Sequence, residues 1–410
     1  QGYSSAASDV YKRQCINIKN LAKILVIALL ISTCSVVVPV SVSAEDMGTQ
    51  VDTDVSTSLV SGKSGILMEP SSGTVLYEFN PDERLQIASV TKTMTMLLIF
   101  DALESGKISY SDMVSTSEHA ASMGGSQVFL EPGEQMSVDD MLKAIAISSG
   151  NDAAVAMAEF VAGSEDAFVE MMNKKAAALG CENTHFCNCN GLDEPDDHYS
   201  SARDVAKISC ALIKHSDVFK YTTTWMDTLR GGSFGLSNTN KLLKSYSGAN
   251  GLKTGSTEKA KYCLSASAER NGLNLVAVVL GAPSTKERFG SAARLLDYGF
   301  ANYSVVNGEQ IVGEIPNLTV QSGTQDTVPV TLMGNTNYIV KKGNEDKVET
   351  EINMDSICTA PIQKDQVVGN VVFKVDGQKI GENNIVSMTE VNKINLWELF
   401  FKNMKKYFSI

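Results

Sequence analysis

The hydrophobic and polar positions divide the chain into a helix-rich middle with strand-forming segments on both sides. Two short apolar runs within residues 65–79 surround the turn Pro70-Ser71-Ser72-Gly73, a pattern that predicts a β-hairpin. Apolar residues at helical spacing then predict four helices, over residues 89–106, 137–148, 151–163 and 164–180. The middle of the chain is therefore predicted to be mostly helical.

Strand-forming segments return near residue 250. The predicted strands are residues 251–257, 261–269 and 274–282, with a tight turn at Asn271-Gly272 between the last two. A helix follows and is expected to end at Gly299, because glycine commonly terminates helices. Strands at both ends of a helical block predict an α+β domain over residues 65–306, in which one sheet forms from both ends of the domain.

A second domain is predicted over residues 307–389. The pattern changes there to short alternating runs separated by Gly, Asn and Asp, which is typical of a small all-β domain of the sandwich type. The sequence of this domain contains no group of residues that suggests catalysis.

Residues 390–410 predict an amphipathic helix with an aromatic, apolar face and several lysines opposite it. The residues near this face are Ile394, Leu396, Trp397, Phe400, Phe401, Met404, Tyr407 and Phe408. A helix of this kind is typical of proteins that lie at a membrane surface. The alternative is a terminal helix packed on its own domain.

The N-terminal residues 1–44 predict a leader. Residues 1–14 are excluded from the interpretation, and a secretory signal follows, with Lys19 and Lys23 before an apolar segment and a small-residue cleavage site that ends at Ala44. A membrane anchor that stays attached is the alternative. Cleavage would leave a polar linker at residues 45–64 and an exported protein, expected as a peripheral protein on the outer face of the cytoplasmic membrane.

Charge and cysteine content exclude some classes of function. The formal net charge of −12 over 410 residues argues against a nucleic-acid partner, because such proteins need basic surfaces that neutralise phosphates. The cysteine spacing around His185 matches no common zinc pattern, so free cysteines are expected, with a local disulfide or a metal site as alternatives. No metal or cofactor is expected.

Ser89 and Lys92 are a candidate nucleophile and base. Residues three apart on a helix share a face, and a lysine held in a cleft of low polarity loses its proton more easily. The pattern alone is weak evidence, since Ser256 and Lys259 repeat the same spacing. An alternative for Ser89 is a helix N-cap.

Two further motifs strengthen the catalytic interpretation. Ser149-Gly150-Asn151 lies between two predicted helices, and Lys253-Thr254-Gly255 lies on a predicted strand. Ser-x-x-Lys, a Ser-x-Asn motif and Lys-Thr-Gly in this order are characteristic of penicillin-binding proteins and class A β-lactamases. Together with the sequence around them, these motifs make the chain resemble the serine D-alanyl-D-alanine carboxypeptidases, which are the low-molecular-mass penicillin-binding proteins of peptidase family S11.

This resemblance implies a β-lactamase/transpeptidase-like catalytic domain followed by the small β domain and a membrane-associated helix. It also implies removal of the terminal D-alanine from peptidoglycan stem peptides, with β-lactams as inhibitors. The catalytic residues it implies are Ser89, Lys92, Ser149 and Asn151. The substrate-binding residues it implies are Lys253, Thr254, Gly255, Ser256, Arg288 and Ser126.

The implied roles differ in how directly each residue takes part. Ser89 would attack the peptide carbonyl, with Lys92 as its base and Ser149 as a proton relay. Thr254 and Arg288 would bind the terminal carboxylate, although Arg288 has the alternative of a helix cap or ion pair. Two other functions stay open. One is a class A β-lactamase, in which Glu194 is the nearest candidate to activate water, and the other is a catalytically silent wall-binding protein.

Overall fold

The structure is a computed structural model that describes residues 59–192 and 195–408, and side chains as far as residue 404. The predicted leader at residues 1–44, most of the predicted linker at 45–64, and Glu194 lie outside these residues.

The described strands follow the predicted alternation of strand-rich and helix-rich segments. In chain order they are β1 Ser64–Met68, β2 Val75–Phe79, β3 Met113–Ser115, β4 Gln135–Ser137, β5 Met226–Leu229, β6 Phe234–Ser237, β7 Ala249–Thr257, β8 Lys261–Arg270, β9 Leu273–Ala282, β10 Tyr303–Asn307, β11 Leu318–Gln321, β12 Thr327–Val328, β13 Val330–Met333, β14 Asn337–Lys341, β15 Val348–Met354, β16 Ile357–Thr359, β17 Val367–Val375 and β18 Gln378–Ser387.

The described helices confirm the four predicted in the middle of the chain and add several more. In chain order they are α1 Lys92–Glu104, α2 Glu118–Ala121, α3 Val138–Ile147, α4 Asn151–Ala162, α5 Glu165–Ala178, α6 Ala202–Leu212, α7 Phe219–Thr222, α8 Leu242–Ser245, α9 Thr285–Asn302, α10 Gly308–Val312 and α11 Leu396–Phe408.

One antiparallel sheet joins the two ends of the first domain, as predicted. Its strand order is β2-β1-β9-β8-β7. Side chains alternate between the two faces of a strand, so successive residues of β9 enter different cores. Val276, Val278 and Leu280 pack in the core that the sheet forms with the central helices. Leu275, Ala277 and Val279 pack in the core that it forms with α9. The sheet therefore separates the helical subdomain from α9.

Helix α1 lies at the centre of the helical subdomain. Residues 92–100 are all buried, which explains why this helix is apolar on every side instead of having one apolar face. Lys92 is the only charged residue within its buried part. Burying a charge is costly unless the group is hydrogen-bonded or loses its proton, so this position requires a specific environment.

The prediction that α9 ends at Gly299 is wrong. The helix continues to Asn302, and Gly299 is a buried position in its last turns. A Cβ atom at residue 299 would lie 2.5 Å from Leu275 Cδ1 and 2.9 Å from Leu67 Cδ2. Glycine is therefore present because α9 packs closely on the sheet, and not because the helix stops.

The C-terminal residues form an all-β domain, as the sequence predicts. Strand order β13-β18-β17-β15 makes a four-stranded sheet, and β12-β11-β16 makes a three-stranded sheet. Tyr338 and Phe373 pack in its core with ring centroids 4.5 Å apart. Strand β10 pairs with β14 directly after α9, which joins this domain to the end of the catalytic domain.

Candidate active site

Ser89 lies in a single 3-10 turn, Ala88–Thr91, that leads directly into α1 at Lys92. The interpretation of Ser89 as a helix N-cap is wrong, because Ile87 and Thr91 occupy the N-cap positions and neither makes a side-chain cap. Ala88 has a φ of 50°, a left-handed conformation that is uncommon for alanine. Such conformations are typical of active sites, where the surrounding structure holds them in place.

The Lys92 amine makes three hydrogen bonds that fix it beside Ser89. Its Nζ lies 3.0 Å from Ser89 Oγ, 2.6 Å from Asn151 Oδ1 and 2.7 Å from the Asn190 carbonyl oxygen. Complete burial lowers the pKa of Lys92 to about 7, although Cys189 and Asp152 act in the opposite direction. A neutral Lys92 can accept the Ser89 proton while its two N–H groups remain bound to Asn151 and Asn190.

Ser149 and Asn151 lie in the turn between α3 and α4, close to Lys92. Asn151 is the first residue of α4, and its Nδ2 donates to the Gly124 carbonyl over 2.7 Å. Its backbone N–H donates to the Ser126 carbonyl over 2.7 Å, which brings Ser126 to the same side of the site. The Ser149 hydroxyl is buried and has no hydrogen-bond partner within the described residues.

Lys253 lies on β7, the edge strand of the central sheet. Its side chain is buried, and its Nζ donates to the Thr254 carbonyl over 2.9 Å. Burial lowers the pKa of Lys253 well below its ordinary value, and the positive charges of Lys92 and Arg288 act in the same direction. Lys253 therefore lies near two other basic side chains, Lys92 and Arg288, and a bound anion would favour its charged form.

Gly255 allows β7 to approach the turn that carries Ser89. A Cβ atom at residue 255 would lie 2.7 Å from the Ile87 carbonyl oxygen and 2.9 Å from the Ser89 nitrogen. The next residue, Ser256, is exposed and pairs in register with Tyr262 of β8. The close approach therefore places the backbone of β7 beside the candidate nucleophile.

Arg288 lies on α9 and is buried. Its Nη1 donates to the Gly255 carbonyl over 3.1 Å and to the Cys263 carbonyl over 3.3 Å, and its Nε has no partner within the described residues. The cap of α9 is instead Ser284, whose hydroxyl accepts from the Glu287 N–H. Arg288 therefore does not cap its helix but contacts the strand pair that carries Gly255.

Sequence reasoning missed three residues that shape the site. Asn190 supplies the backbone carbonyl that binds Lys92. Asp152 is fully buried and accepts from the N–H groups of Val128 and Leu130, which holds the segment after Ser126. Gly191 lies against the turn that contains Ala88. The adjacent pairs Asn151-Asp152 and Asn190-Gly191 were the available signals, because buried carboxylates and Asn-Gly turns often organise loops.

Replacing Gly191 with alanine is expected to destabilise the protein strongly. The new Cβ would lie 2.0 Å from the Ala88 carbonyl oxygen, and the residue has a φ of 76°. Gly73→Ala is the matched control, because Gly73 has a φ of 71° but no atom within 4 Å of its Cβ position. Thermal unfolding should show a loss in Tm at least twice that of the control. Equal losses would mean that the contact with Ala88 is unimportant.

Two family models match the chain. The model of D-alanyl-D-alanine carboxypeptidase matches residues 51–284, and the model of the penicillin-binding protein 5 C-terminal domain matches residues 301–393. These ranges correspond to the helix-and-sheet domain and the all-β domain of the structure.

Curated relatives and solved structures agree with the family models. The chain is 48% identical to D-alanyl-D-alanine carboxypeptidase DacF of Bacillus subtilis, over 81% of this chain and 86% of the relative. It is 36% identical to DacA of Escherichia coli, over 85% of this chain and 88% of the relative. The crystal structure of penicillin-binding protein 5 from Haemophilus influenzae is similar with a TM-score of 0.70 and 34% identity, covering 82% of this chain and 98% of that one.

These matches confirm the resemblance inferred from the three motifs and the predicted fold, including the β-lactamase/transpeptidase-like catalytic domain followed by an all-β domain. The chain belongs to the D-alanyl-D-alanine carboxypeptidase family, peptidase family S11.

Proposed function

We propose that the protein is a serine D-Ala-D-Ala carboxypeptidase that removes the terminal D-alanine from peptidoglycan stem pentapeptides. The observation that carries this proposal is the buried Lys92 amine, 3.0 Å from Ser89 Oγ, with a pKa lowered to about 7. A serine beside a neutral amine is an activated nucleophile for acyl transfer. Ser89 would be acylated in the same way by β-lactams, which carry a reactive amide of similar shape, with Lys92 again accepting its proton.

Acylation would proceed by proton transfer from Ser89 Oγ to Lys92 Nζ and attack on the carbonyl carbon of the penultimate D-alanine. The backbone N–H groups of Ser89 and Ser256 would stabilise the oxyanion, since Gly255 brings β7 against the Ser89 turn. Ser149, whose hydroxyl has no hydrogen-bond partner among the residues that the structure describes, would relay a proton to the leaving amine. Cleavage of the C–N bond releases D-alanine, and water then hydrolyses the Ser89 ester.

Binding of the substrate carboxylate would use the cationic side of the site. Lys253 and Thr254 lie at the edge of the sheet. A bound anion would favour the charged form of Lys253, whose pKa is lowered by burial and also by the charges of Lys92 and Arg288. Arg288 supports this region through the Gly255 carbonyl, and its direct contact with the carboxylate stays a prediction. Asn151 and Ser126 would contact the peptide on the opposite side, where their backbones are already linked.

Release of D-alanine tests the proposed activity. Purified residues 45–410 should release one D-alanine from each molecule of a pentapeptide that ends in D-Ala-D-Ala. They should release none from the same peptide ending in D-Ala-L-Ala. Absence of release from the first peptide would favour a silent wall-binding protein. Hydrolysis of penicillin with turnover in well under a second would instead favour a β-lactamase.

The rate of acylation by penicillin is expected to rise with pH and level off above about 7. Below the Lys92 pKa of about 7 the amine carries a proton and cannot accept one from Ser89, so the rate should fall tenfold per pH unit. Acylation rates between pH 5 and 9, with circular dichroism at each pH as a control for folding, check this. A rate that is constant from pH 5.5 to 8 would contradict it.

We also propose that the protein is exported and held peripherally at the outer face of the cytoplasmic membrane by α11. Within the described residues, no helix is long and apolar enough to cross a membrane. The apolar residues of α11 as far as Met404 are instead exposed, Leu396 by 85% and Trp397 by 74%. Lys402 on the same helix binds the Gly323 carbonyl and Asp326 of the β domain. This contact leaves the apolar side chains available to a lipid surface.

Deleting residues 396–410 is expected to move the protein from the membrane fraction to the soluble fraction without loss of D-alanine release. The deletion begins at 396, because Val391 is buried and pairs with Ile362 of the β domain. Vesicle sedimentation of the mature chain and the deletion variant measures the change. Trp397→Ser with Phe401→Ser should give a partial loss of binding, whereas unchanged sedimentation of both variants would refute the anchor.

A further inference from the structure

A loop between α5 and α6 brings together three side chains that bind transition metals. His185 and Tyr199 form an antiparallel bridge, so the two ends of the loop run side by side. This pairing places His185, Cys187 and Asp197 so that one ligand atom from each lies within 4.8 Å of the others. The three residues are partly or fully exposed. They are separate from Ser89, Lys92 and the β7 strand.

The distances in this cluster fit a tetrahedral metal. Cys187 Sγ lies 3.6 Å from His185 Nδ1. Zinc bound to sulfur at about 2.3 Å and to nitrogen at about 2.0–2.1 Å in tetrahedral geometry separates the two ligand atoms by about 3.5–3.6 Å. The Asp197 carbonyl oxygen lies 2.8 Å from the same nitrogen. That oxygen belongs to the backbone and is hydrogen-bonded to the ring. The Asp197 carboxylate lies within 4.8 Å of both the Cys187 sulfur and a ring nitrogen of His185, so a sulfur and an oxygen ligand are within reach of one ion.

A second cluster of potential metal ligands differs from this one, because a lysine already pairs with it. Asp101, Glu104 and His215 also lie close together. However, Lys175 Nζ lies 2.8 Å from Asp101, and His215 bridges the two carboxylates at 3.2 and 3.3 Å. The Lys175 ammonium group is therefore already paired with this cluster. Asp197, in contrast, makes no ion pair within residues 59–192 and 195–408 as far as side chains are described.

We propose that His185, Cys187 and Asp197 form a binding site for a divalent transition-metal ion of the Zn²⁺ type, with the fourth position open to solvent. A thiolate, an imidazole and a carboxylate together favour Zn²⁺ or Co²⁺ over Mg²⁺ or Ca²⁺, which prefer oxygen ligands. On binding, the Cys187 thiol loses its proton to solvent and the Sγ–metal bond forms. The imidazole proton moves by exchange with solvent from Nδ1 to Nε2, which leaves Nδ1 free to bind the metal.

The site would stabilise the loop that supports catalysis without taking part in the chemistry. The Cys187 N–H donates to His198 Nδ1 over 3.1 Å, and His198 Nε2 contacts Thr91 Oγ1 over 2.9 Å. Thr91 directly precedes Lys92, and Asn190, three residues after Cys187, supplies a carbonyl to the same lysine. A bound ion is therefore expected to raise Tm, since it binds the folded loop and not the unfolded chain.

Cobalt titration of the reduced, chelator-treated mature chain tests the site directly. Co²⁺ should bind one equivalent and produce a thiolate-to-cobalt charge-transfer band, and Zn²⁺ should displace it. Cys187→Ser and His185→Gln should each weaken binding by at least about 100-fold, beyond the roughly 10- to 100-fold losses typical of outer-shell partners. Asp197→Asn should weaken it by about 10-fold or more. Cys358→Ser is the matched control, because Cys358 is a free, partly exposed thiol in the β domain.

Several results would overturn the proposal. One is a titration without a thiolate band, and another is a band that survives in Cys187→Ser. Loss of the band in Cys358→Ser would place the metal elsewhere. His185→Gln and Asp197→Asn keep the test decisive if the Cys187 variant does not fold. A Zn²⁺-dependent rise in Tm should appear in the wild type and in Cys358→Ser, and should disappear in His185→Gln.

Discussion

Replacing Ser89 with alanine is expected to lower D-alanine release by about 10⁴- to 10⁶-fold, the loss typical of removing a catalytic nucleophile. The variant lacks Ser89 Oγ, the hydroxyl oxygen that lies 3.0 Å from Lys92 Nζ and would form the ester. Ser256→Ala is the informative comparison, because Ser256 begins the second Ser-x-x-Lys pattern and the substitution keeps its backbone N–H. It should lose far less activity.

The Ser89 variant should remain folded, since the change removes one hydroxyl from a partly buried position. Thermal unfolding of Ser89→Ala should therefore resemble that of the wild type within a few degrees. D-alanine release by Ser89→Ala above a tenth of the wild-type rate would contradict the assignment of Ser89. Equal losses in the two serine variants would mean that the surroundings of the first motif do not distinguish it from the second.

Replacing Lys92 with arginine or methionine is expected to slow acylation by at least about 10³-fold, within the range of general-base catalysis. Arginine keeps the positive charge but does not lose its proton, so it cannot accept the proton of Ser89. Methionine has a similar length and removes both charge and base. The rate of acylation by a fluorescent penicillin measures both variants, with Lys259→Met as control for the second Ser-x-x-Lys pattern.

The two Lys92 variants separate the role of a base from the role of a charge. If Lys92 acted only through its positive charge, the arginine variant would retain most of its acylation rate and the methionine variant would not. The structure favours equal losses, because burial lowers the pKa of Lys92 toward neutrality and the Asn151 and Asn190 oxygens hold the amine in place. The Lys259 variant should be unaffected, since Lys259 is exposed and pairs with Asp196.

The side chains that lie in the three motifs could be located in the fold because each motif is short and falls at a regular position. Ser89 and Lys92 are three residues apart at the start of a helix, and Lys253 lies on a strand that the apolar pattern predicts. The fold class followed from the order of helical and strand-like segments. In these cases the signal is local in sequence.

The supporting contacts could not be predicted because they depend on distant backbone atoms. The Asn190 carbonyl binds a lysine 98 positions away. Every residue has a backbone carbonyl, so the residue type does not indicate which one is used. The left-handed conformation of Ala88 and the close packing of Gly191 on it are likewise properties of the folded chain. Gly299 misled the prediction of a helix end, because glycine serves both as a stop signal and as a site of close packing.

The cluster of His185, Cys187 and Asp197 could not be predicted from the sequence for a similar reason. His185 and Cys187 are close in sequence, but Asp197 joins them only because the loop folds back on itself. The three residues do not follow a regular ligand spacing from which such a site could be predicted. The cysteine spacing in the sequence therefore favoured free thiols.

Mass spectrometry of the penicillin-treated protein tests whether Ser89, activated by Lys92, is the residue that accepts the acyl group. After proteolysis, we expect one penicilloyl group per chain, carried by the peptide that contains Ser89. We expect no adduct on the peptide that contains Ser256, and none in Ser89→Ala. An adduct on any other residue, or no adduct on the folded wild-type chain, would rule out Ser89 as the nucleophile.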